Sequence, residues 1–309
     1  MNTLWDGING DKIRERRMKM NFEKFTCDIE KNNWEVYGVE VYEDFVLTHS
    51  YGDTCDCIHE IYSATKSILS IAFGIAYDRG LVDLQKSVLQ YLPEANIGSL
   101  SEKQKASFDK LTLHRLLTMS VEGFPFRPEG ENWLDFCLSC EIENPEAKVF
   151  NYSNINTFLI GVVLTEALKY DLGRFIQEEI FKPLGITKYE MQYSPEGYFY
   201  GASGMKLCVH DLSKFGLLMS NGGMYDGIRI VSEEYVSLAT SVQQMNREGG
   251  YGYYFWKYRD GFSINGKWKQ KCYCLPKQNI VVTYLAHIED ESHCLLESME
   301  RNILEVEEV

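Results

Sequence analysis

The spacing of apolar and polar positions changes period twice along this chain. Residues 34–42 (WEVYGVEVY) and 45–51 are β-branched and aromatic, and Glu43-Asp44 lies between them, so the two runs predict a β-hairpin turning at Glu43-Asp44. From about residue 61 to 184 the pattern becomes mainly helical. Helices are predicted over residues 63–79, 112–118, 154–168 and 172–181, the last stopped by Pro183-Leu184-Gly185. A further short helix over 210–219 is closed by Asn221-Gly222-Gly223. Strand signals return at 252–258, 262–275 and 280–287, with Asp260-Gly261 and the run Pro276-Lys277-Gln278-Asn279 as turns. The acidic segment 292–305 predicts a final amphipathic helix. Strands at both ends with helices between them imply one antiparallel sheet built from both ends of the chain, with a helical insertion, and therefore an α+β class.

The first helix carries the most suggestive chemistry. After Lys66 it reads Ile68, Leu69, Ile71, Ala72, Phe73, Ile75, Ala76, apolar almost all round, and it ends in Arg79-Gly80 with a cation in its last turn and a glycine after it. Such a helix is buried. Ser63-Ala64-Thr65-Lys66 stands at its head, and a lysine three residues after a serine lies one turn away on the same face, where its amine can take the hydroxyl proton. A free lysine is neutral in roughly one molecule in a few thousand at pH 7, so the role requires a pKa lowered by about 2–3 units. The unpaired N–H groups and dipole at the helix start favour an alkoxide or oxyanion at Ser63. Two other segments share the spacing, Ser107 to Lys110 and Ser203 to Lys206; the first sits in a polar stretch and the second in a glycine-bounded loop, so both read as surface or turn serines.

Composition narrows the field. The 309 residues are 45% hydrophobic and 25% charged, ordinary for a globular protein, and no repeat or low-complexity tract is evident. A net charge of −14 disfavours nucleic acid or an anionic membrane as partner and leaves a small or peptide-like substrate. The basic residues Lys12, Arg14, Arg16, Arg17 and Lys19 are followed by no apolar stretch of signal-peptide type, and no run of ~18 apolar residues occurs, so a cytoplasmic location is expected. The odd count of nine cysteines agrees with free thiols. Cys137/Cys140 form a C-x-x-C and Cys55/Cys57 and Cys272/Cys274 form C-x-C pairs, yet no histidine pair at metal spacing accompanies them, so they are expected to be structural or incidental. Neither a metal nor a cofactor is anticipated. Gly261 to Lys267 imitates a phosphate loop, but Trp268 stands where a Ser or Thr would bind Mg²⁺; neither H-E-x-x-H nor G-x-S-x-G occurs.

Tyr152-Ser153-Asn154, 89 residues after Ser63, completes a pattern that resembles the serine β-lactamase and penicillin-binding-protein superfamily, in the branch with Y-S-N as second motif. That branch includes class C β-lactamases, related esterases, D-aminopeptidases and 6-aminohexanoate-dimer hydrolases. The segments AYDRGLVDL at 76–84, LTLHRLLTM at 111–119, DLSKFG at 211–216 and Asn221-Gly222-Gly223 support the likeness, which covers about residues 35–290. The resemblance implies a β-lactamase/transpeptidase-like fold in a single catalytic domain over 1–309, with an α/β lobe of about 1–60 and 200–309 and a helical lobe of about 61–199. It implies Ser63 as acylated nucleophile, Lys66 as its base and Tyr152 as the proton donor to the leaving group, with Asn154 contacting substrate or Lys66. The third motif, Lys-Thr-Gly or His-x-Gly in the family, here aligns with Ile264-Asn265-Gly266. Gly266 is retained for close approach, and the Lys267 N–H would be the second oxyanion donor. The family cation is replaced by isoleucine, for which Lys267, Lys269 or Lys271, read as one strand face, would be the available substitutes. The expected activity is hydrolysis of a small ester or amide through an acyl-enzyme. Alternatives are a D-aminopeptidase or β-lactamase-like enzyme, and a silent binder of a peptide or cell-wall fragment.

Overall fold

A computed structural model describes residues 20–290 and 292–304. The basic residues Lys12 to Lys19, and Glu305 at the end of the predicted last helix, lie outside them. Two compact units are formed, one by Tyr37–Leu285 and one by the two ends of the chain. In the end unit, helix Phe22–Lys31 starts at an Asn21 cap, and Cys294–Met299 runs into a wider helical turn, Glu300–Leu304. Asp28 joins them by accepting from Ser298 Oγ at 2.6 Å and Asn302 Nδ2 at 3.2 Å.

The larger unit is organised on a six-stranded sheet. Its strands are β1 (Val36–Glu43), β2 (Val46–Gly52), β3 (Trp256–Tyr258), β4 (Gly261–Gly266), β5 (Gln270–Leu275) and β6 (Ile280–Ala286), in the order β2-β1-β6-β5-β4-β3. The sheet is therefore built from the beginning and end of the sequence, as the α+β reading requires. The β1–β2 turn falls one residue later than expected, on Asp44 and Phe45, whose φ of 49° and 65° give the primed geometry that matches strand twist.

The 262–275 run is a larger departure. It is two antiparallel strands, β4 and β5, reversed at Lys267–Lys269, where Trp268 and Lys269 have φ of 57° and 69°. Lys267, Lys269 and Lys271 therefore do not form one strand face; only Lys271 lies in a strand. Two successive left-handed residues turn the chain without the glycine that normally announces such a turn.

Helix Thr65–Asp78 is buried from Thr65 to Ala76, and Asn154–Leu168 from Asn154 to Leu164. They pack on each other, and Asn154–Leu168 also packs on Leu113–Leu117, making the core that fixes Ser63 and Tyr152. Helix Val209–Ser220 packs on β5, where a Cβ at Gly216 would come within 2.4 Å of Cys272 Sγ. Cys272 and Cys274 are fully buried fillers of that contact, and all nine cysteines are free thiols. No helix among the described residues is long and apolar enough to cross a membrane.

Candidate active site

Ser63 sits in a short 3-10 turn, Tyr62–Ala64, that leads into helix Thr65–Asp78. Tyr62 just before it has φ 47°, a left-handed conformation that costs a bulky residue about 1–2 kcal/mol. This sharp entry presents Ser63 at the surface of a cleft while Ala64 and Lys66 turn into the core. Lys66 Nζ lies 3.1 Å from Ser63 Oγ and donates to the Ala202 carbonyl at 2.7 Å. The lysine is only 1% exposed, and loss of hydration lowers its pKa from 10.5 to about 7. About half the molecules then carry a neutral amine at pH 7.

The Ala202 carbonyl was not signalled by any motif. Gly201 has φ +68°, a left-handed conformation that favours glycine, and a Cβ there would press within 2.8 Å of the Leu69 Cδ2 methyl where this loop closes on the Lys66 helix. Ser203, dismissed on sequence as a turn serine, lines the same cleft as Ser63. Its partner in spacing, Lys206, instead pairs with Glu190 at 2.7 Å. Ser107 belongs to helix Glu102–Phe108 and Lys110 pairs with Glu146, well apart in role from the cleft.

Tyr152 reaches Ser63 from the other side, because its segment is strapped to the preceding loop. Asn151 Nδ2 donates to the carbonyls of Val121 and Phe124 at 3.0 Å each, Ser153 Oγ to Pro125 at 2.5 Å, and the Asn154 N–H to Phe126 at 2.7 Å. Tyr152 stacks on Trp256 with ring centroids 5.6 Å apart, Lys66 Nζ is 5.0 Å from its ring centre, and its phenol is close enough to Ser63 to be influenced by that side chain. Burial pushes the phenol up to about 12, against a smaller opposite effect of the Ser63 hydrogen bond. Tyr152 is thus a protonated phenol at neutral pH, and the free base in the group is Lys66.

Ser153, rather than Asn154, caps the following helix, its Oγ accepting from the Ile155 N–H at 3.1 Å. Asn154 does not bond Lys66. Its Nδ2 donates to Tyr200 Oη at 2.9 Å, and its buried Oδ1 has no partner among the described residues. Tyr200 is a second residue that the sequence motifs did not single out.

The altered third motif is placed beside the nucleophile. A Cβ on Gly266 would come within 2.2 Å of the Ile61 carbonyl, so the glycine admits the chain leading to Ser63 rather than a ligand. Ile264 is fully buried. Lys267 is exposed at the cleft wall, its Nζ 4.2 Å from the Trp268 ring centre, and Trp268 meets Tyr62 edge-on at 5.2 Å. Lys271 is partly buried on β5, where burial lowers its pKa to about 8. The cleft encloses about 630 Å³ between Ser63, Asn154, Tyr200, Lys267 and a loop carrying Phe126 and Arg127.

Comparison with known proteins bears on the family and the fold. The Beta-lactamase family model matches residues 52–297. "Beta-lactamase-like protein 2" of Dictyostelium discoideum is 26% identical over 156 residues, 45% of this chain; the match spans about a quarter (27%) of that relative's length. Among solved structures, a Bacillus anthracis protein provisionally assigned as a 6-aminohexanoate-dimer hydrolase superposes with TM-score 0.72 at 18% identity, covering 89% of this chain and 79% of that one. FmtA of Staphylococcus aureus gives 0.72 at 15% identity, covering 92% and 88%, and a penicillin-binding-protein homologue of Caulobacter crescentus gives 0.69 at 13%, covering 90% and 93%. At these identities the structural matches establish the fold.

Proposed function

The chain belongs to the Beta-lactamase family, and from that premise we propose that it is a serine hydrolase acting on a small ester or amide through an acyl-enzyme. The observation that carries this reading is the 3.1 Å approach of a dehydrated Lys66 amine to Ser63 Oγ. Neutral Lys66 takes the Ser63 proton as Oγ bonds to the substrate carbonyl carbon. The N–H groups of Ser63 and Lys267 receive the oxyanion. As the carbonyl re-forms and the leaving group departs, Tyr152 gives it a proton and recovers one from Lys66. Water then attacks the acyl carbon by the same relay in reverse and frees Ser63. Intact-mass detection of a single adduct after treatment with a fluorophosphonate tests the reading; a protein that binds but never acquires the adduct is a silent binder instead.

The rate should follow the ionisation of Lys66. Its active form is the unprotonated one, so ester turnover should rise with pH through an apparent pKa near 7 and fall below it. Tyr152, protonated up to about 12, adds no alkaline limb in the usual assay range. A pH profile in which activity is greatest below pH 6 would remove Lys66 as the base.

Substrate preference follows from the third motif. With Ile264 buried, no strand cation reaches the cleft from that position, and the cations lining the cleft are Lys267 and Arg127. A charge-assisted hydrogen bond contributes about 1.5–3 kcal/mol, so its loss reduces acylation by a carboxylate-bearing β-lactam by roughly ten- to a hundredfold. Short-chain p-nitrophenyl esters should be hydrolysed and nitrocefin only weakly, and Lys267→Ala should reduce the remaining nitrocefin turnover more than ester turnover. Efficient nitrocefin hydrolysis that Lys267→Ala abolishes would favour the β-lactamase or D-aminopeptidase reading, with Lys267 as the anchor.

A further inference from the structure

Away from the cleft, a second set of chemically active side chains converges from three distant parts of the sequence. Glu40 on β1 has a side chain only 1% exposed, yet it is a carboxylate and needs compensation. Its Oε1 lies 3.1 Å from His210 Nδ1, and its Oε2 accepts from Tyr42 Oη at 2.9 Å. The exposed Cys55 completes the group: a carboxylate oxygen, an imidazole nitrogen and a thiol sulfur all lie within 4.8 Å of one another. We propose that Glu40, Cys55 and His210 bind a transition-metal dication of the Zn²⁺ class, at a site separate from Ser63.

The donor set suits such an ion. Zn²⁺ takes mixed carboxylate, imidazole and thiolate ligands at about 2.0–2.3 Å, which places neighbouring donor atoms roughly 3.5 Å apart in a tetrahedron. Glu40 and His210 already meet that spacing, so only Cys55 has to approach. One carboxylate and one thiolate balance a dication; on binding, the Cys55 thiol proton leaves to solvent and the hydrogen shared between His210 Nδ1 and Glu40 gives way to the ion, leaving the imidazole protonated at Nε2. The fourth position stays open to water, because His210 is 36% exposed in its side chain.

The supporting groups are in place as well. Tyr42 donates to Glu40 Oε2 and so orients Oε1, the oxygen beside His210, toward the ion. Asp53 fixes the loop that carries Cys55: Oδ1 accepts from the N–H groups of Cys55 at 3.1 Å and Asp56 at 2.8 Å, and Oδ2 from Cys57 at 3.0 Å. The Thr54 carbonyl accepts from the His210 N–H at 2.8 Å, tying that loop to the start of helix Val209–Ser220. A Glu40–His210 hydrogen bond would account for two of the three donors but not for the thiol beside them. No local sequence spacing could announce this site, since its donors lie at positions 40, 55 and 210.

The test uses the reduced, chelator-treated full chain titrated with Co²⁺ followed by optical absorption, and with Zn²⁺ followed by calorimetry. One equivalent should bind, with a thiolate-to-cobalt charge-transfer band in the near ultraviolet. Cys55→Ser, a change at an exposed position, should remove the band, while Cys57→Ser should keep it. His210→Ala and Glu40→Gln should weaken Zn²⁺ by at least about tenfold. Failure of the unmodified protein to bind stoichiometrically, or a band that survives in Cys55→Ser, overturns the proposal and leaves Glu40 as a carboxylate hydrogen-bonded to His210 and Tyr42. Fluorophosphonate labelling of Ser63 should be unchanged in Cys55→Ser, so the two sites fail or hold independently.

Discussion

Ser63→Ala should abolish acylation and lower ester turnover by at least about 10⁴, the scale seen when a nucleophile is removed from a preorganised serine site. The expectation rests on geometry seen at Ser63 among the described residues. Ser63 has a dehydrated amine 3.1 Å from its Oγ and the Tyr152 phenol beside it. Ser203 lines the same cleft and is the natural competitor, so the informative measurement is peptide mapping of the adduct in Ser63→Ala. Labelling that moves to Ser203 or persists elsewhere would show that the cleft reacts without the Ser63–Lys66 pair. The substitution removes one oxygen from a partly exposed residue, so the fold should be unaffected.

Lys66 and Tyr152 should behave as one unit. Lys66→Met and Tyr152→Phe should each reduce turnover by about 10²–10⁴, and the double variant should lose far less than the product of the two, because a relay missing one member gains little from the other. Losses that multiply would mean the residues act independently. Lys66→Met should also raise stability. A lysine whose folded pKa of about 7 lies below its unfolded value of ~10.4 binds fewer protons in the fold, so its burial is destabilising by roughly 4 kcal/mol at pH 7. That cost is full below pH 7 and disappears as pH rises toward ~10.4. Methionine of similar volume avoids it, so the variant's gain in stability should shrink at alkaline pH. A variant that loses activity and stability together at pH 7 would argue against a strained, dehydrated base.

Much of the scaffold was legible because it is set by local periodicity. The alternation at 34–51 gives a hairpin wherever it is placed, and an almost wholly apolar helix after Ser63 can only be buried. The i,i+3 spacing already put Lys66 on the Ser63 face. The α+β class followed from the order of these periods, and the family likeness from motifs spread over most of the chain.

What the sequence could not determine depends on residues that meet only through the fold. Alternation across 262–275 is compatible with one long strand, and only the left-handed pair Trp268 and Lys269 breaks it, turning two of three lysines out of the strand. The role of Lys66 requires a lowered pKa; its cause, loss of hydration on burial, needed the Gly201 loop to close over the helix. Tyr200 holds Asn154 and Glu40 meets His210 and Cys55 for the same reason. Sequence by itself determined most of the elements and the closeness of Ser63 to Lys66, because backbone period and helix spacing act over a few residues. Tertiary structure alone decided which charges lose water and which side chains share a site, because desolvation and donor geometry depend on neighbours that are remote along the chain.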